Sequence, residues 1–232
     1  MKRILKNLAI IPARIGSKRI KKKNLRKLNN KPIISYTIEA ALKSRLFDKI
    51  HVSTDSDEIE EICNNFGLKI DFKRPKNLCS HNSVLNDVVK YILKKFEKNE
   101  IFFDNFCMLW PTSPLRNHKD IIESYNLLVK KKANGIVSVS KYELPFFCAQ
   151  KLETNGFLKK IFKYKFWEKT NPEVYCDCGS LVWNKVEAFK KSGTWLPTKT
   201  LGYHMPKYKS LDIDNEDDWE LLEFYYQKYA KK

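Results

Sequence analysis

The fold is decided by a short apolar run, Asn7-Leu8-Ala9-Ile10-Ile11-Pro12, which ends in proline and leads into the polar segment 13–30. A continuous apolar run of this length, closed by proline, predicts a buried strand followed by a loop. Pro32 then begins a segment with apolar side chains on its inner side, as far as Leu42, which predicts a helix. This unit of strand, loop and helix indicates a fold in which the two kinds of element alternate.

The same alternation continues along the rest of the chain. Strands are predicted at 50–54, 68–72, 105–110, 135–140 and 179–183, and helices at 57–66, 86–96, 120–132 and 219–229. Strands and helices that alternate at this spacing predict a three-layer α/β/α domain with a mostly parallel, Rossmann-like sheet. At 232 residues, we expect the whole chain, 1–232, to form one such domain.

Between about 142 and 172 the pattern changes, because aromatic and lysine residues mix there without a clean period. The aromatic residues include Phe157, Phe162, Tyr164, Phe166 and Trp167. Exposed aromatic side chains need a partner surface. We therefore expect this segment to be an inserted arm that makes a dimer contact, with Phe146, Phe147 and Trp167 in the core or in that contact.

The net charge of +17 fits a nucleic-acid binder, an enzyme for anionic substrates, or a lysine-rich surface exposed to water. No nucleic-acid-binding motif accompanies the charge, so we expect no nucleic-acid partner. No apolar run of about 18 residues is present, so we expect no membrane partner. The chain has six cysteines and no secretory leader, which favours reduced thiols and a cytoplasmic location.

The loop after the first strand, 13–25, offers a glycine, backbone amides and several cations. A triphosphate needs amide donors and fixed positive charge, and ligands of open α/β sheets bind beyond the carboxyl ends of the strands. The loop lacks the spacing of a P-loop. An exposed basic turn is the alternative interpretation.

A second candidate site is Leu211-Asp212-Ile213-Asp214, whose alternation predicts the end of a strand with both aspartates on one face. Two carboxylates on one face repel each other unless a cation or a proton joins them. Mg²⁺ prefers oxygen ligands and commonly bridges one or two carboxylates to substrate phosphates. The alternative is an ordinary acidic turn, since 216–218 continues the negative charge at the start of the last helix.

Several motifs stand in one order along residues 7 to about 228. They are Ile11-Pro12-Ala13-Arg14-Ile15-Gly16-Ser17-Lys18-Arg19, then Lys23-Asn24-Leu25, the segment 31–41, Val52–Ile59, Arg74-Pro75, Pro111-Thr112-Ser113-Pro114-Leu115-Arg116, and Asp212-Ile213-Asp214. This series resembles the acylneuraminate cytidylyltransferases, the CMP–sialic acid synthetases and their relatives. The resemblance implies a nucleotidyltransferase fold, CTP and an acidic sugar as partners, and a homodimer.

It also implies residue roles. The nucleotide-binding residues would be Ala13, Arg14, Gly16, Ser17, Lys23, Asn24 and Arg74. The magnesium ligands would be Asp212 and Asp214, and the catalytic residues Arg14, Lys23 and Asp214. In the implied reaction the anomeric hydroxyl of the sugar attacks the α-phosphorus of CTP and pyrophosphate leaves. Asp214 or a metal-bound water would help to remove the proton.

The identity of the sugar acid depends on two departures from the sialic acid enzymes. Trp110 stands where those enzymes usually have glutamine, and 176–179, Cys-Asp-Cys-Gly, stands where they have Arg-x-Asn-Gly. The second stretch looks more like the pseudaminic acid cytidylyltransferases, whereas the segment 111–116 looks more like the sialic and legionaminic enzymes. We therefore expect pseudaminate first and another nonulosonate next. The substrate-binding residues would be Trp110, Thr112, Asp177 and Gly179, although Asp177 also suits a turn.

Two other functions fit parts of the sequence. The high positive charge suits a non-catalytic binding protein on a degenerate version of the same fold, but such a protein has no reason to retain the pair Asp212 and Asp214. A ketodeoxyoctonate enzyme is the other alternative. Those enzymes carry a different turn, with glycine and an acid, in place of 111–116.

Overall fold

The computed structural model describes residues 5–17, 19–80, 83–142, 148–162 and 173–230. In chain order the described strands are β1 (Asn7–Pro12), β2 (Lys27–Leu28), β3 (Lys31–Pro32), β4 (Lys49–Ser53), β5 (Asn105–Leu109), β6 (Gly135–Lys141), β7 (Gln150–Leu152), β8 (Leu158–Lys160), β9 (Tyr175–Lys185) and β10 (Thr200–His204). The α-helices are α1 (Ile33–Ser44), α2 (Asp57–Asn65), α3 (Leu85–Lys98), α4 (His118–Lys130), α5 (Val186–Ser192) and α6 (Glu216–Tyr225), which a π-helical turn extends over Tyr226–Ala230.

A six-stranded sheet forms the centre, in the order β10–β6–β9–β5–β1–β4. β4 and β5 both pair in parallel with β1, and β10 pairs in parallel with β6. β9 is antiparallel to both of its neighbours, β5 and β6. The predicted mostly parallel α/β sheet is therefore confirmed, with β9 as the reversed strand.

Helices cover both faces of this sheet. Successive residues of β1 alternate between the faces, because side chains along a strand point to opposite sides. Ala9 and Ile11 belong to the core formed with α1, α2 and α4. Leu8 and Ile10 belong to the core formed with α3 and α5. The continuous apolar run of β1 thus follows from burial on both faces, as expected for the parallel part of a three-layer fold.

The strand predicted at 68–72 is wrong, since 68–70 are irregular and 71–72 form a bend outside the sheet. Gly67 has φ +71° and ends the preceding helix, as its sequence position suggested. Ile70 is buried in the core on the α1 and α2 side of the sheet, and Leu68 packs against the same core. The alternating apolar residues therefore bury their side chains without pairing with an edge strand.

The arm predicted at 142–172 falls partly within the described residues. Residues 148–162 include the antiparallel hairpin of β7 and β8. Residues 143–147 and 163–172, which include Phe146, Phe147, Tyr164, Phe166 and Trp167, lie outside the described residues. The arm leaves the sheet after β6 and the chain re-enters the sheet at β9. Lys141 pairs with Tyr175 at that point, so the two ends of the inserted segment are neighbours.

No helix within the described ranges is long and apolar enough to cross a lipid bilayer.

Candidate active site

A cavity of about 740 Å³ lies at the carboxyl-terminal ends of β1 and β5. Pro12 closes β1, and 110–112 follow β5 directly. A volume of this size is in the range of sites for nucleotides and other small molecules. The cavity is lined by Pro12, Arg14, Ser17, Arg19, Lys23, Asn24, Arg74, Leu78, Ser80, Ser83, Leu85, Val88, Trp110, Pro111, Thr112, Asp212 and Asp214.

The first loop is fastened to the end of β4 by its backbone. The amide of Ala13 donates to the carbonyl of Ser53 at 2.9 Å. The amide of Ile15 donates to Oδ1 of Asp55 at 3.1 Å. The side-chain amide of Asn24 donates to the carbonyl of Arg14 at 3.0 Å and so fixes the other side of the loop. These contacts position the loop without using its cationic groups.

Two arginines meet at the β1–β4 end of the cavity. Arg74 is only 6% exposed, and its Nε and NH2 donate to Oγ and O of Ser53 at 3.0 and 2.9 Å. NH1 of Arg14 donates to the carbonyl of Ser80 at 2.8 Å. Burial lowers the pKa of Arg74; Cys79 and Asp55 oppose this shift, and the nearby charge of Arg14 adds to it. A buried cation beside a second cation favours an anion at this end.

The predicted strand end at 211–214 is wrong, because these residues are irregular. The two aspartates nevertheless line the same cavity, since Ile213 between them is fully buried against α6. Asp214 is held by two cations: Oδ1 lies 2.8 Å from NH2 of Arg19 and 3.3 Å from Nζ of Lys23. The ammonium of Lys23 also donates to the carbonyl of Ile213. The basic loop and the acidic segment are therefore joined directly.

Asp212 lines the cavity and is exposed there. Partial desolvation by the surrounding protein raises the pKa of its carboxyl, and the charge of Asp214 raises it further, while Thr112 and Lys23 oppose the shift. A carboxylate in this setting is stabilised by an added cation. Its electrostatics therefore fit a metal site.

The donor set also fits magnesium. Among the described residues, no group of three or more His, Cys, Asp or Glu side chains could hold a metal ion. Asp212 and Asp214 offer two carboxylates. Substrate phosphates and water would supply the remaining ligands. Mg²⁺ commonly binds in this way, because it keeps several waters and bridges carboxylates to phosphates. Arg19 and Lys23 would have to share Asp214 with the ion.

The structure brings some of the predicted residues together and leaves others outside the cavity lining. Arg14, Ser17, Lys23, Asn24, Arg74, Trp110, Thr112, Asp212 and Asp214 line the cavity, whereas Ala13, Gly16, Asp177 and Gly179 do not. Ala13 is buried behind the loop. A Cβ on Gly16 would meet no atom within 4 Å, so the protein itself does not require glycine there.

The backbone of Gly179 lies close to the side chain of Asp212. It has φ +60°, and a Cβ at this position would lie 3.1 Å from Oδ2 of Asp212. Glycine is therefore needed both for the backbone conformation and for the close approach. The amide of Gly179 donates to Oδ1 of Asp177 at 2.9 Å, the local contact of a turn. The predicted contacts of Asp177 and Gly179 with a substrate stay predictions.

Sequence reasoning assigned no role to several lining residues: Arg19, Leu78, Ser80, Ser83, Leu85 and Val88. Arg19 stands inside the first motif, and its basic character was the available signal. Residues 78–80 and 83–88 carry no comparable signal, because their position at the cavity follows from tertiary packing, such as that of Val88 on α3 against the sheet.

Comparisons with known proteins agree with this geometry. A family model described as Cytidylyltransferase matches residues 8–156. The pseudaminic acid cytidylyltransferase of Campylobacter jejuni is 30% identical over 227 residues, which cover 96% of this chain and 97% of that protein. The CMP-N,N'-diacetyllegionaminic acid synthase of Legionella pneumophila is 33% identical over 226 residues, which cover 93% of this chain and 94% of that protein.

A solved structure shows the same fold. CMP:2-keto-3-deoxy-manno-octonic acid synthetase complexed with CTP superposes with a TM-score of 0.66 at 16% identity, covering 96% of this chain and 99% of that one. The nucleotidyltransferase architecture expected from the sequence is therefore confirmed. From the family match and the full-length relatives together, the chain belongs to the cytidylyltransferase family.

Proposed function

We propose that this enzyme transfers the cytidylyl group of CTP to an acidic nine-carbon sugar and releases pyrophosphate. Pseudaminate is the acceptor we propose first, and legionaminate or sialate are the alternatives. The observation that carries the proposal is one cavity whose lining combines arginine and lysine side chains with a pair of carboxylates. Two similar proteins are named for pseudaminic and legionaminic acids, which supports the same class of acceptor.

The nucleotide would occupy the β1–β4 end of the cavity. Arg14 and Arg74 lie there together, and arginine is suited to phosphate because its guanidinium can donate two parallel hydrogen bonds. Lys23 stands nearer the carboxylates and adds a point charge. Ser17 and Asn24 line the same wall, and the backbone of 13–16 runs beside it. This end therefore offers fixed positive charge where a triphosphate would need it.

The transfer would take place between this basic wall and the segment after β5. Asp212 and Asp214 would hold Mg²⁺, which when bound neutralises charge on the phosphates. In-line displacement requires the attacking hydroxyl and the leaving pyrophosphate on opposite sides of the α-phosphorus. The first-loop cations suit the pyrophosphate side. Trp110 and Thr112 suit the acceptor side, because they follow β5 on the other side of β1.

We also propose that the enzyme works in the cytoplasm. All six cysteines are free thiols: Cys63, Cys79, Cys107, Cys148, Cys176 and Cys178. Unpaired cysteines are typical of a reducing compartment.

The proposed function is tested by pyrophosphate release from CTP and Mg²⁺ with a panel of acceptors. The panel contains pseudaminic, N,N'-diacetyllegionaminic, N-acetylneuraminic and ketodeoxyoctonic acids. We expect release with one of the first three acids, and loss of release when EDTA is added or when ATP replaces CTP. Release with ketodeoxyoctonic acid alone would refute the nonulosonate proposal. Absence of both release and CTP binding would refute the enzymatic assignment of this cavity.

We further propose a homodimer that forms through the hairpin of β7 and β8. Its large apolar side chains are exposed: Leu152 by 68%, Phe157 by 73% and Leu158 by 63%. A two-stranded hairpin is only marginally stable by itself, so packing against a second copy would stabilise it and bury these side chains.

Light scattering tests the dimer. We expect a dimer for the wild-type protein and a monomer for the double variant Leu152→Ser, Phe157→Ser. The control is Phe102→Ser, at a side chain that is 62% exposed elsewhere on the surface, and it should remain a dimer. A wild-type monomer with full activity at assay concentration would contradict the proposal.

A further inference from the structure

The cavity has an apolar wall that phosphate and metal chemistry do not explain. Besides the charged residues, the lining includes Leu78, Leu85, Val88 and Trp110, and Leu78 precedes Cys79, whose carbonyl accepts a hydrogen bond from Arg14. Val88 is a buried residue of α3, and Trp110 packs on the core to which Val88 belongs. Apolar surface in a binding cavity contributes recognition of apolar parts of a ligand. The phosphates of CTP and Mg²⁺ have no such parts, so these residues would contact either the cytosine base or the acceptor, and the position of each residue decides between the two.

Trp110 is held in place from two directions. Its amide donates to the carbonyl of Ser180 on β9 at 3.2 Å, and NH1 of Arg116 donates to its carbonyl at 3.3 Å. Its ring meets the ring of Trp195 edge to face, with centroids 6.1 Å apart and planes at 89°. Edge-to-face packing of this kind is a favoured arrangement of aromatic rings. The indole of Trp110 is therefore a fixed surface and not a flexible side chain.

Trp195 is anchored independently of the cavity. It lies after α5, and its carbonyl accepts a hydrogen bond at 3.0 Å from Nδ2 of Asn184, a buried residue of β9. Trp195 does not itself line the cavity. Its role toward a ligand would therefore be to position Trp110.

The position of Trp110, directly after β5, favours contact with the acceptor. The two arginines that suit phosphates lie at the β1–β4 end, and Arg74 is bonded to Ser53 of β4. Trp110 follows β5, on the opposite side of β1, and leads directly to Thr112. A sugar that reaches the α-phosphorus from this side would bring its own side chain toward the indole.

We infer that Trp110, positioned by Trp195, selects a sugar acid whose side chain ends in a methyl group over one that ends in a hydroxymethyl group. This inference rests on the proposed function. The face of an indole ring offers no ordinary donor or acceptor, so a terminal hydroxyl packed against that face loses hydrogen bonds to water without replacement. A methyl group in the same place gains contact with the ring. Discrimination of this kind by an apolar surface amounts to roughly 10- to 100-fold in kcat/KM.

The test compares two acceptors that differ by one oxygen atom. They are made from the acid that the panel identifies, in the first instance pseudaminic acid and its 9-hydroxy analogue. We expect the wild-type enzyme to prefer the methyl form by at least about tenfold in kcat/KM. Trp110→Gln should reduce this ratio toward one, because glutamine restores a donor and an acceptor. The KM for CTP should change little.

Variants of Trp195 test whether this residue positions Trp110 or only stabilises the fold. Trp195→Ala should reduce the ratio between the two acceptors, and Trp195→Phe should retain most of it, because phenylalanine can still pack edge to face. Phe102→Gln is the matched control, and its ratio should equal that of the wild type.

Two results would overturn the inference. If Trp110→Gln slows both acceptors equally, Trp110 supports the site without selecting, and the proposed function stands. If no acceptor in the panel releases pyrophosphate, the proposed function fails and this inference fails with it.

Discussion

Asp214→Asn should lower kcat by roughly 10³-fold, since a metal-bridged phosphoryl group represents several kcal/mol of transition-state stabilisation and each 1.4 kcal/mol changes the rate about tenfold. Asparagine keeps the shape of the side chain and removes its charge. Its amide is a poor ligand for Mg²⁺ and a poor partner for Arg19 and Lys23, whose nitrogens lie 2.8 and 3.3 Å from Oδ1. The loss should appear in steady-state pyrophosphate release at saturating CTP.

The matched control is Asp217→Asn. Asp217 lies three residues further on, in the first turn of α6, and it is exposed. Its charge interacts with the helix dipole, so its loss should change stability only slightly and leave kcat unchanged. Equal effects of the two substitutions would show that the acidic segment acts through its overall charge. That result would remove Asp214 from the catalytic centre.

Asp212→Asn should lower the activity of the enzyme and slightly raise its stability. The carboxyl of Asp212 has a raised pKa because of desolvation and the charge of Asp214, so its ionised form opposes folding at neutral pH. A raised carboxyl pKa means that the folded state binds more protons than the unfolded state. Stability therefore falls as pH rises from the ordinary pKa of an aspartate to the raised pKa of Asp212. We therefore expect a large loss of kcat with a small rise in Tm without Mg²⁺. The rise is small because water in the cavity reaches the carboxylate.

Among the substitutions proposed for this protein, Arg116→Ala should produce the largest loss of stability, about 3–5 kcal/mol in the free energy of unfolding. It leaves a cavity and also leaves buried acceptors without a hydrogen bond. Arg116 is only 2% exposed. Its NH1 donates to the carbonyl of Ser180 at 2.7 Å, and its NH2 donates to Oγ1 of Thr37 at 2.9 Å. NH1 also reaches the carbonyl of Trp110. Removing this side chain takes away the hydrogen bonds of Arg116 to α1 and β9, although the amide of Trp110 still binds the carbonyl of Ser180.

Arg116→Lys refines that prediction. Burial lowers the pKa of Arg116 to about 10, so the guanidinium remains charged at neutral pH. A lysine ammonium would keep the charge but could not reach three acceptors arranged around a planar fork. We expect an intermediate loss of stability, measured by urea denaturation.

The exposed neighbour Lys119 is the control, and Lys119→Ala should change the free energy of unfolding by less than about 0.5 kcal/mol. Similar losses at both positions would contradict the role given to Arg116.

The sequence predicted those parts of the molecule that depend on local pattern. The apolar run of β1 needed only its own composition, and α1 only its apolar side and Pro32. The roles proposed for Arg14 and Lys23 came from a motif confined to one loop. The structure places both residues in the cavity because that loop follows a buried strand of a parallel sheet.

The rest depended on contacts between distant segments. Nothing local to 175–185 shows that β9 runs against its neighbours, because strand direction is set by the connection and not by the residues. The alternation at 211–214 resembled a strand, but it reflects Ile213 turning into the core beside α6. Trp195 gave no signal either, since its importance follows from its packing against Trp110.

The reversal of β9 has a consequence for how such enzymes diversify. Because β9 begins at the edge of the sheet where β6 ends, the segment between them starts and finishes at adjacent points, Lys141 and Tyr175. A replacement of any length can be inserted there without altering the strand order, since closing a longer loop costs little additional entropy. The position also lies at the end of the sheet that carries the candidate active-site cavity. This junction is therefore a natural exchange point, where one scaffold can acquire new recognition elements by grafting while its nucleotide chemistry is inherited unchanged.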